Sequence, residues 1–355
     1  MPHVLFVTEK WCDGDPIGGS TNSEHNLFGS LEASGLATFE RFHFDEYYRS
    51  RGDKADGALL TRLQSGTPRP DLVMATPLCG SEMTPEYETY AQISRMGIPL
   101  VFICFDSIDD YTREGFLKLA PVSTATIVLD QSVHELFRDP RFIPLWTPQD
   151  PRIFHNAHGE RTIDVSFAGS IGRYPDRQRA LARLREAAIN VFQAGGQREH
   201  SLSVYDYAAV HQRSRIALNF AKAGWEGGAQ VKGRVFEATL CGALLLEEDN
   251  IHIKRWFEPG REYVPFFDSD DLVEKTQFYL RHEEERERIA RRGWEKARRY
   301  CNERRFWGRM LELAGVGWRA WWPVRQVRRV RDQPLRRLPG RLWRRAWSTV
   351  ERVGA

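Results

Sequence analysis

Chemistry is most concentrated in residues 231–250, Val-Lys-Gly-Arg-Val-Phe-Glu-Ala-Thr-Leu-Cys-Gly-Ala-Leu-Leu-Leu-Glu-Glu-Asp-Asn. Read as a helix that ends at Gly242 and runs into a strand Ala243–Glu247, this stretch sets Arg234 and Glu237 three residues apart on one face. A guanidinium near a helix start suits a diphosphate through forked, charge-assisted hydrogen bonds, and a carboxylate one turn on can accept from paired ribose hydroxyls. The same spacing equally fits a surface ion pair of small worth. A second candidate is Gly18-Gly19, followed by Thr21 and Glu24 at capping-box spacing, with Leu27, Phe28 and Leu31 as an apolar stripe and Gly35 as the stop. Two glycines before a capped helix let an anion approach exposed N–H groups at the positive end of the dipole. An ordinary glycine turn is the other reading.

The elements that must position these residues follow from the apolar pattern. Short β-branched or apolar runs, His3–Thr8, Ala37–Phe44, Asp71–Ala75, Pro99–Phe105, Thr124–Leu129 and Phe142–Leu145, alternate with helical stretches. The alternation restarts near residue 160 with Ile163–Ala168, Ile189–Gln193, Arg215–Phe220, Ala243–Glu247 and Glu262–Phe266. This predicts an α/β chain of two Rossmann-like domains facing a cleft lined by strand carboxyl ends. The boundaries are 1–155, 156–315 and a tail 316–355, with a solvated, charged helical face from Asp270 to about Ala314. The 355 residues, 41% hydrophobic and 28% charged, exclude a disordered or fibrous chain. The five cysteines are odd in number and never in a C-x-x-C pair, which argues against a disulfide framework or zinc cluster and fits a reducing cytoplasm. The apolar start reads as a first strand and not a signal peptide, and no run approaches the ~18 apolar residues of a membrane span.

Several spaced segments resemble one family. Val165-Ser-Phe-Ala-Gly-Ser, Arg215-Ile-Ala-Leu-Asn-Phe, Lys232-Gly-Arg-Val-Phe-Glu-Ala-Thr-Leu-Cys-Gly and Glu258-Pro-Gly-Arg-Glu-Tyr look like the C-terminal domain of CgeB-like glycosyltransferases of the GT-B fold. The resemblance covers roughly residues 160–305, with a weaker one in the N-terminal half through Gly18-Gly19 and His25. It implies a nucleoside diphosphate sugar held by the C-terminal domain, an acceptor held mainly by the N-terminal one, no cofactor and no metal. Glu237 takes the place of the second glutamate of a paired motif, the ribose contact, while Ala229 stands where the first would be, with Glu226 at the wrong spacing. Arg173 in Gly-Ser-Ile-Gly-Arg is the first choice for the diphosphate, ahead of Lys222, and Arg177 is a further nearby cation. Positive groups and helix dipoles would then stabilise the leaving diphosphate. An inverting route also needs a general base, for which Asp106, Asp130 and His25 are the candidates; each aspartate also suits a helix N-cap. A nucleotide-sugar-binding protein without transferase activity, or a sugar-nucleotide epimerase of the same fold, shares these features.

The charge is divided unevenly. The net charge is +3, yet residues 316–355 carry 11 Arg against Asp332 and Glu351, so the body is acidic. Within Gly340–Val353, Leu342, Trp343, Ala346, Trp347, Val350 and Val353 share one helical face, and Arg341, Arg344, Arg345, Ser348 and Arg352 the other. An amphipathic, tryptophan- and arginine-rich tail suits an anionic membrane surface. The expectation is peripheral attachment at the inner face of the membrane, giving access to a lipid-linked or envelope glycan acceptor. Packing of the tail on the body ranks next, and nucleic acid last, because the acidic body repels a polyanion.

Overall fold

The computed structural model describes residues 1–130, 138–172, 174–195, 202–223 and 228–316. The first compact unit holds Met1–Phe154, Lys222–Phe236 and the described residues from Arg299 on. Its sheet comprises β1 (His3–Thr8), β2 (Thr38–His43), β3 (Leu72–Ala75), β4 (Leu100–Cys104), β5 (Ala125–Val128) and β6 (Phe142–Pro144), in the order β2-β1-β3-β4-β5-β6 and parallel throughout. Strand alternation sends Leu5 and Val7 to one face and Val4 and Phe6 to the other, and all four are fully buried, as a sheet covered on both sides requires. Leu5, Val7, Val73, Ala75, Phe102 and Cys104 pack with side chains from α2 (Phe44–Arg51), α3 (Asp56–Ser65), α4 (Tyr87–Arg95) and α5 (Asp110–Leu119). On the opposite face Phe6 meets Phe28 edge-on at 4.9 Å and Trp307 at 5.9 Å.

The second unit holds His155–Ala221 and Glu237–Arg298. Its parallel sheet is built from β7 (Ile163–Ala168), β8 (Val191–Ala194), β9 (Ser214–Asn219), β12 (Leu244–Glu248) and β13 (Val264–Phe266), in the order β13-β12-β9-β7-β8. Val165, Phe167, Ile216, Leu218, Leu244 and Leu246 form its core with α6 (Pro175–Glu186), α9 (Ser269–Arg281) and α10 (Glu283–Tyr300). Counted within its unit, this order matches the first five strands of the first sheet: second strand, first, third, fourth, fifth. In such doubly wound sheets ligands sit outside the carboxyl ends where the order reverses, here beside β1 and β3 and beside β7 and β9.

Two expectations are revised, and one element is new. The stretch from Asp270 to Ala314 is more than a solvated face: α9, α10 and α11 (Glu303–Leu313) bury Leu272, Tyr279, Ile289, Ala297, Phe306 and Trp307, together with the charged Lys275 and Arg286, and turn most of their other charges outward. Thr21 and Glu24 form no capping box. The helix begins with a π-helical turn, Glu24–Gly29, without side-chain capping, and continues as α1 (Ser30–Ser34) to Gly35 at φ 64°, while Glu24 pairs with Arg41 at 3.2 Å. A short hairpin, β10 (Lys222–Ala223) against β11 (Gly228–Ala229), was not foreseen. Residues 317–355, with the amphipathic tail, lie outside the described residues, as do Arg173 and Glu226. Among the described residues no helix is long and apolar enough to cross a membrane, and no group of three or more His, Cys, Asp or Glu could hold a metal ion.

Candidate functional site

Glu237 is fixed within the second unit by a chain of polar contacts. It lies on α8 (Gly233–Leu240), 7% exposed, and its Oε2 accepts a hydrogen bond from the Tyr207 hydroxyl. A buried carboxylate needs such donors, because removal from water disfavours the ion. Tyr207 belongs to α7 (Val204–Arg213), whose first turn is capped by Ser203 Oγ accepting from the Asp206 N–H at 3.1 Å. One turn on, the Tyr207 ring stands edge-on to the fully buried His211 at 4.8 Å. Arg161 ties α7 and α8 together from their C-terminal ends. Its Nη1 donates to the carbonyls of His211, Gln212 and Ser214 at 3.4, 3.1 and 2.8 Å, and its Nη2 to those of Cys241 and Gly242 at 3.2 and 2.6 Å. A cation here also suits the negative ends of two helix dipoles. Gly242 is required twice over: its φ is 76°, and a Cβ would fall 2.6 Å from Asn156 Nδ2 and 2.8 Å from Arg161 Nη2.

Arg234 stands in the first turn of α8, one turn before Glu237, as the spacing predicts. Arg177 is otherwise engaged, donating to the Ser170 carbonyl at 2.8 Å and lying over the Tyr174 ring at 3.6 Å, so it braces the loop after β7.

Within the first unit, residues 228–236 rest on the carboxyl ends of β4 and β5, as the contacts of Gly228, Gln230 and Val231 show. The Val231 N–H donates to the Asp130 carbonyl at 3.0 Å, the Gln230 side-chain amide to Asp106 Oδ1 at 3.3 Å, and Gly228 lies so near Ile108 that a Cβ would come within 2.5 Å of its Cδ1. Lys232 Nζ donates to the Lys222 carbonyl at 2.9 Å. Two predicted residues, Asp106 and Lys222, are thereby gathered with Lys232, whose sequence context gave it no separate role. The Asp106 side chain reaches solvent, yet the protein around its carboxyl pushes its pKa up, Asp109 and Asp13 adding to the effect and Lys232 opposing it. Asp130 is 1% exposed and accepts from the Ser107 hydroxyl and the Ile108 N–H, the latter at 3.1 Å, so it holds the loop between β4 and α5. These bonds run to a neighbouring loop and cap none of the described helices.

The loop after β1 closes on itself. The Gly18 N–H donates to the Asp15 carbonyl at 2.8 Å, the Gly19 N–H to that of Pro16 at 3.0 Å, and the Cys12 N–H to the Gly19 carbonyl at 3.0 Å. The pair therefore shapes a turn and offers no free amide, although Gly19, at φ 80° with nothing within 4 Å of a Cβ, leaves room for close approach. His25 sits in the π-helical turn beside Phe154, 5.8 Å between ring centroids. Burial pulls its pKa down to about 4 against the opposing charge of Asp150, so the imidazole is neutral near pH 7. The residue that sequence reasoning missed is Glu9, directly after β1, whose carboxyl is pushed up to about 7 by burial and by Asp45 and Asp13. No motif signals it, because the shift arises from what the fold packs around it.

Residues 151–312 match the family described as glycosyl transferase-like. No curated protein matches the chain. Among solved structures, HepE of Anabaena in complex with UDP and glucose is similar at a TM-score of 0.63 and 11% identity, covering 88% of this chain and 100% of its own. Sucrose-phosphate synthase of Thermosynechococcus elongatus follows at 0.57 and 8% identity, covering 88% and 98%. A candidate UDP-N-acetylglucosamine 2-epimerase of Listeria monocytogenes gives 0.52 and 11%, covering 84% and 94%. At such identities the likeness is one of fold: two Rossmann-like units in one chain, the GT-B class.

Proposed function

We propose that this chain is a CgeB-like glycosyltransferase that moves a sugar from a nucleoside diphosphate donor to a hydroxyl acceptor. The observation that carries the reading is α8, within the glycosyltransferase-like segment, with Arg234 in its first turn and a buried, oriented Glu237 one turn on. Glu237 takes the ribose hydroxyls. Arg234, Lys222 and Arg173, with the positive end of the helix, balance the charge that grows on the leaving diphosphate, without a metal or cofactor. In an inverting transfer the acceptor oxygen bonds to the anomeric carbon as its bond to the diphosphate breaks, and Asp106 takes the hydroxyl proton. Desolvation by the surrounding protein raises the pKa of the Asp106 carboxyl, which makes it more basic than an ordinary carboxylate, whereas burial lowers that of His25 and makes the imidazole a weaker base than usual. Gly18 and Gly19 supply a turn without side chains beside the donor. The basic tail 316–355 holds the enzyme at the inner membrane face, where a lipid-linked or envelope glycan is the acceptor.

Donor turnover by purified protein tests this, starting with UDP-glucose, the ligand of a HepE complex. Glu237→Ala and Arg234→Ala are each expected to lower turnover roughly a hundredfold, with the unmodified enzyme unaffected by EDTA. The Ala229 departure keeps a second reading in play. Tight donor binding with no turnover under any acceptor favours a binding protein, and an epimerised donor formed without acceptor favours the epimerase.

A further inference from the structure

We propose that Tyr207 is a positioning residue that sets the Glu237 carboxylate for the donor ribose, and so gives the site its preference for ribonucleotides over deoxyribonucleotides. The inference rests on the reading of Glu237 as the ribose contact. A glutamate side chain has rotatable bonds enough to sweep several positions, and only a fixed acceptor distinguishes a hydroxyl from a hydrogen at one ribose carbon. Tyr207 supplies that constraint. Its hydroxyl donates to Glu237 Oε2 at 2.5 Å, and its ring is held in turn by the edge-on contact with buried His211. The two helices that carry donor and acceptor are locked to each other by Arg161, which bonds carbonyls at both their C-terminal ends. Position is thus set on a rigid frame, because Tyr207 sits mid-helix on α7 and Glu237 mid-helix on α8. A phenolic O–H donating to a carboxylate also leaves it charged, and a charged acceptor bonds a sugar hydroxyl more strongly than a neutral one.

Titration calorimetry of the full-length protein decides it, with UDP, ADP and GDP each paired with its 2′-deoxy counterpart. The unmodified protein is expected to favour the ribose form of the nucleotide it binds by about tenfold. Tyr207→Phe, which removes one oxygen atom, should weaken the ribose form about three- to tenfold, leave the deoxy form unchanged and preserve the melting temperature within a few degrees. Equal weakening of both forms, or no weakening of either, overturns the positioning role. Glu237→Gln separates this from the underlying reading: loss of ribose preference there with an intact preference in Tyr207→Phe sinks only the inference. An intact preference in Glu237→Gln, or no binding of any of the three nucleotides, sinks both.

Discussion

Glu9 offers a prediction in which the sign and the size both come from its surroundings. Its carboxyl follows β1 and is pushed from 4.5 to about 7, first by burial and then by the charges of Asp45 and Asp13, with the Gly14 amide opposing. Asp45 is itself fully buried and accepts from the Lys10 and Trp11 N–H groups at 2.9 and 3.0 Å, so this negative neighbour is held in place. A folded-state pKa above the unfolded value means that folding favours the protonated acid. The stability it contributes is fully present below about pH 4.5 and is lost as pH rises to about 7. The shift corresponds to a ceiling near 3.4 kcal/mol at about 1.36 kcal/mol per pH unit, and partial exposure of the side chain reduces this to about 2 kcal/mol. Glu9→Gln keeps the shape of the neutral acid and cannot ionise. Urea unfolding of both proteins at pH 4.5, 6, 7 and 8 should show the variant gaining about 2 kcal/mol on the parent between the ends of the series, with the gap level above pH 7. A difference that is constant across the series, or one that shrinks as pH rises, would falsify the account. The loop concerned runs on to Gly18 and Gly19, so its protonation also bears on the turn that the donor is proposed to approach.

Two further outcomes test the frame around Glu237. Arg161→Met keeps the apolar stem but leaves five carbonyls without their cation, and should lower stability by about 3 kcal/mol in urea unfolding; a loss under 1 kcal/mol means water replaces the guanidinium without difficulty. Gly242→Ala puts an L side chain at φ 76° against Asn156 and Arg161, and a loss of at least about 1–2 kcal/mol is expected, read as a fall in melting temperature. An unchanged melting temperature there shows that the turn relaxes at little cost.

The sheets were legible because their inner strands are buried on both sides, and such strands write themselves as short apolar runs between turn residues. His3–Thr8 and Ile163–Ala168 coincide with the expected strands, and the others differ from it by one or two residues at an end. The helix-to-strand join at Gly242 was legible for a related reason, since a left-handed stop has few residue choices. What escaped depends on distance along the chain. The β10–β11 hairpin has strands of two residues each, too short to carry any period. Trp307 donates to Ser30 Oγ at 2.9 Å across 277 residues, placing α11 on the first unit, and no local pattern announces such a partner. Thr21 and Glu24 had the right spacing for a capping box, yet Arg41 on the neighbouring strand captured Glu24. The candidate site divides in the same way: Arg234 and Glu237 are a local pattern, whereas Tyr207 and Arg161 enter only through tertiary contact.

The shared strand order gives these placements a common cause. A parallel sheet sends every strand out at the same edge, so whatever follows a strand directly is gathered there, however far apart the strands lie in sequence. In the first unit that edge collects Glu9 after β1, Asp106 after β4 and Asp130 after β5; in the second it collects Ser170 after β7, with Asn219 at the end of β9 and Glu247 in β12. These two are fully buried and bonded to each other, Asn219 Nδ2 donating to Glu247 Oε2 at 2.7 Å, so the edge is polar even where it is closed to solvent. Polar groups at a sheet end need partners, and in doubly wound sheets the reversal of strand order is where the neighbouring connections diverge and a ligand can enter. A ligand rich in hydroxyls and charge is the natural complement to such an edge. On this argument the raised pKa values of Glu9 and Asp106 and the small residues of the loops are consequences of the winding, and they are the groups the proposed transfer draws on.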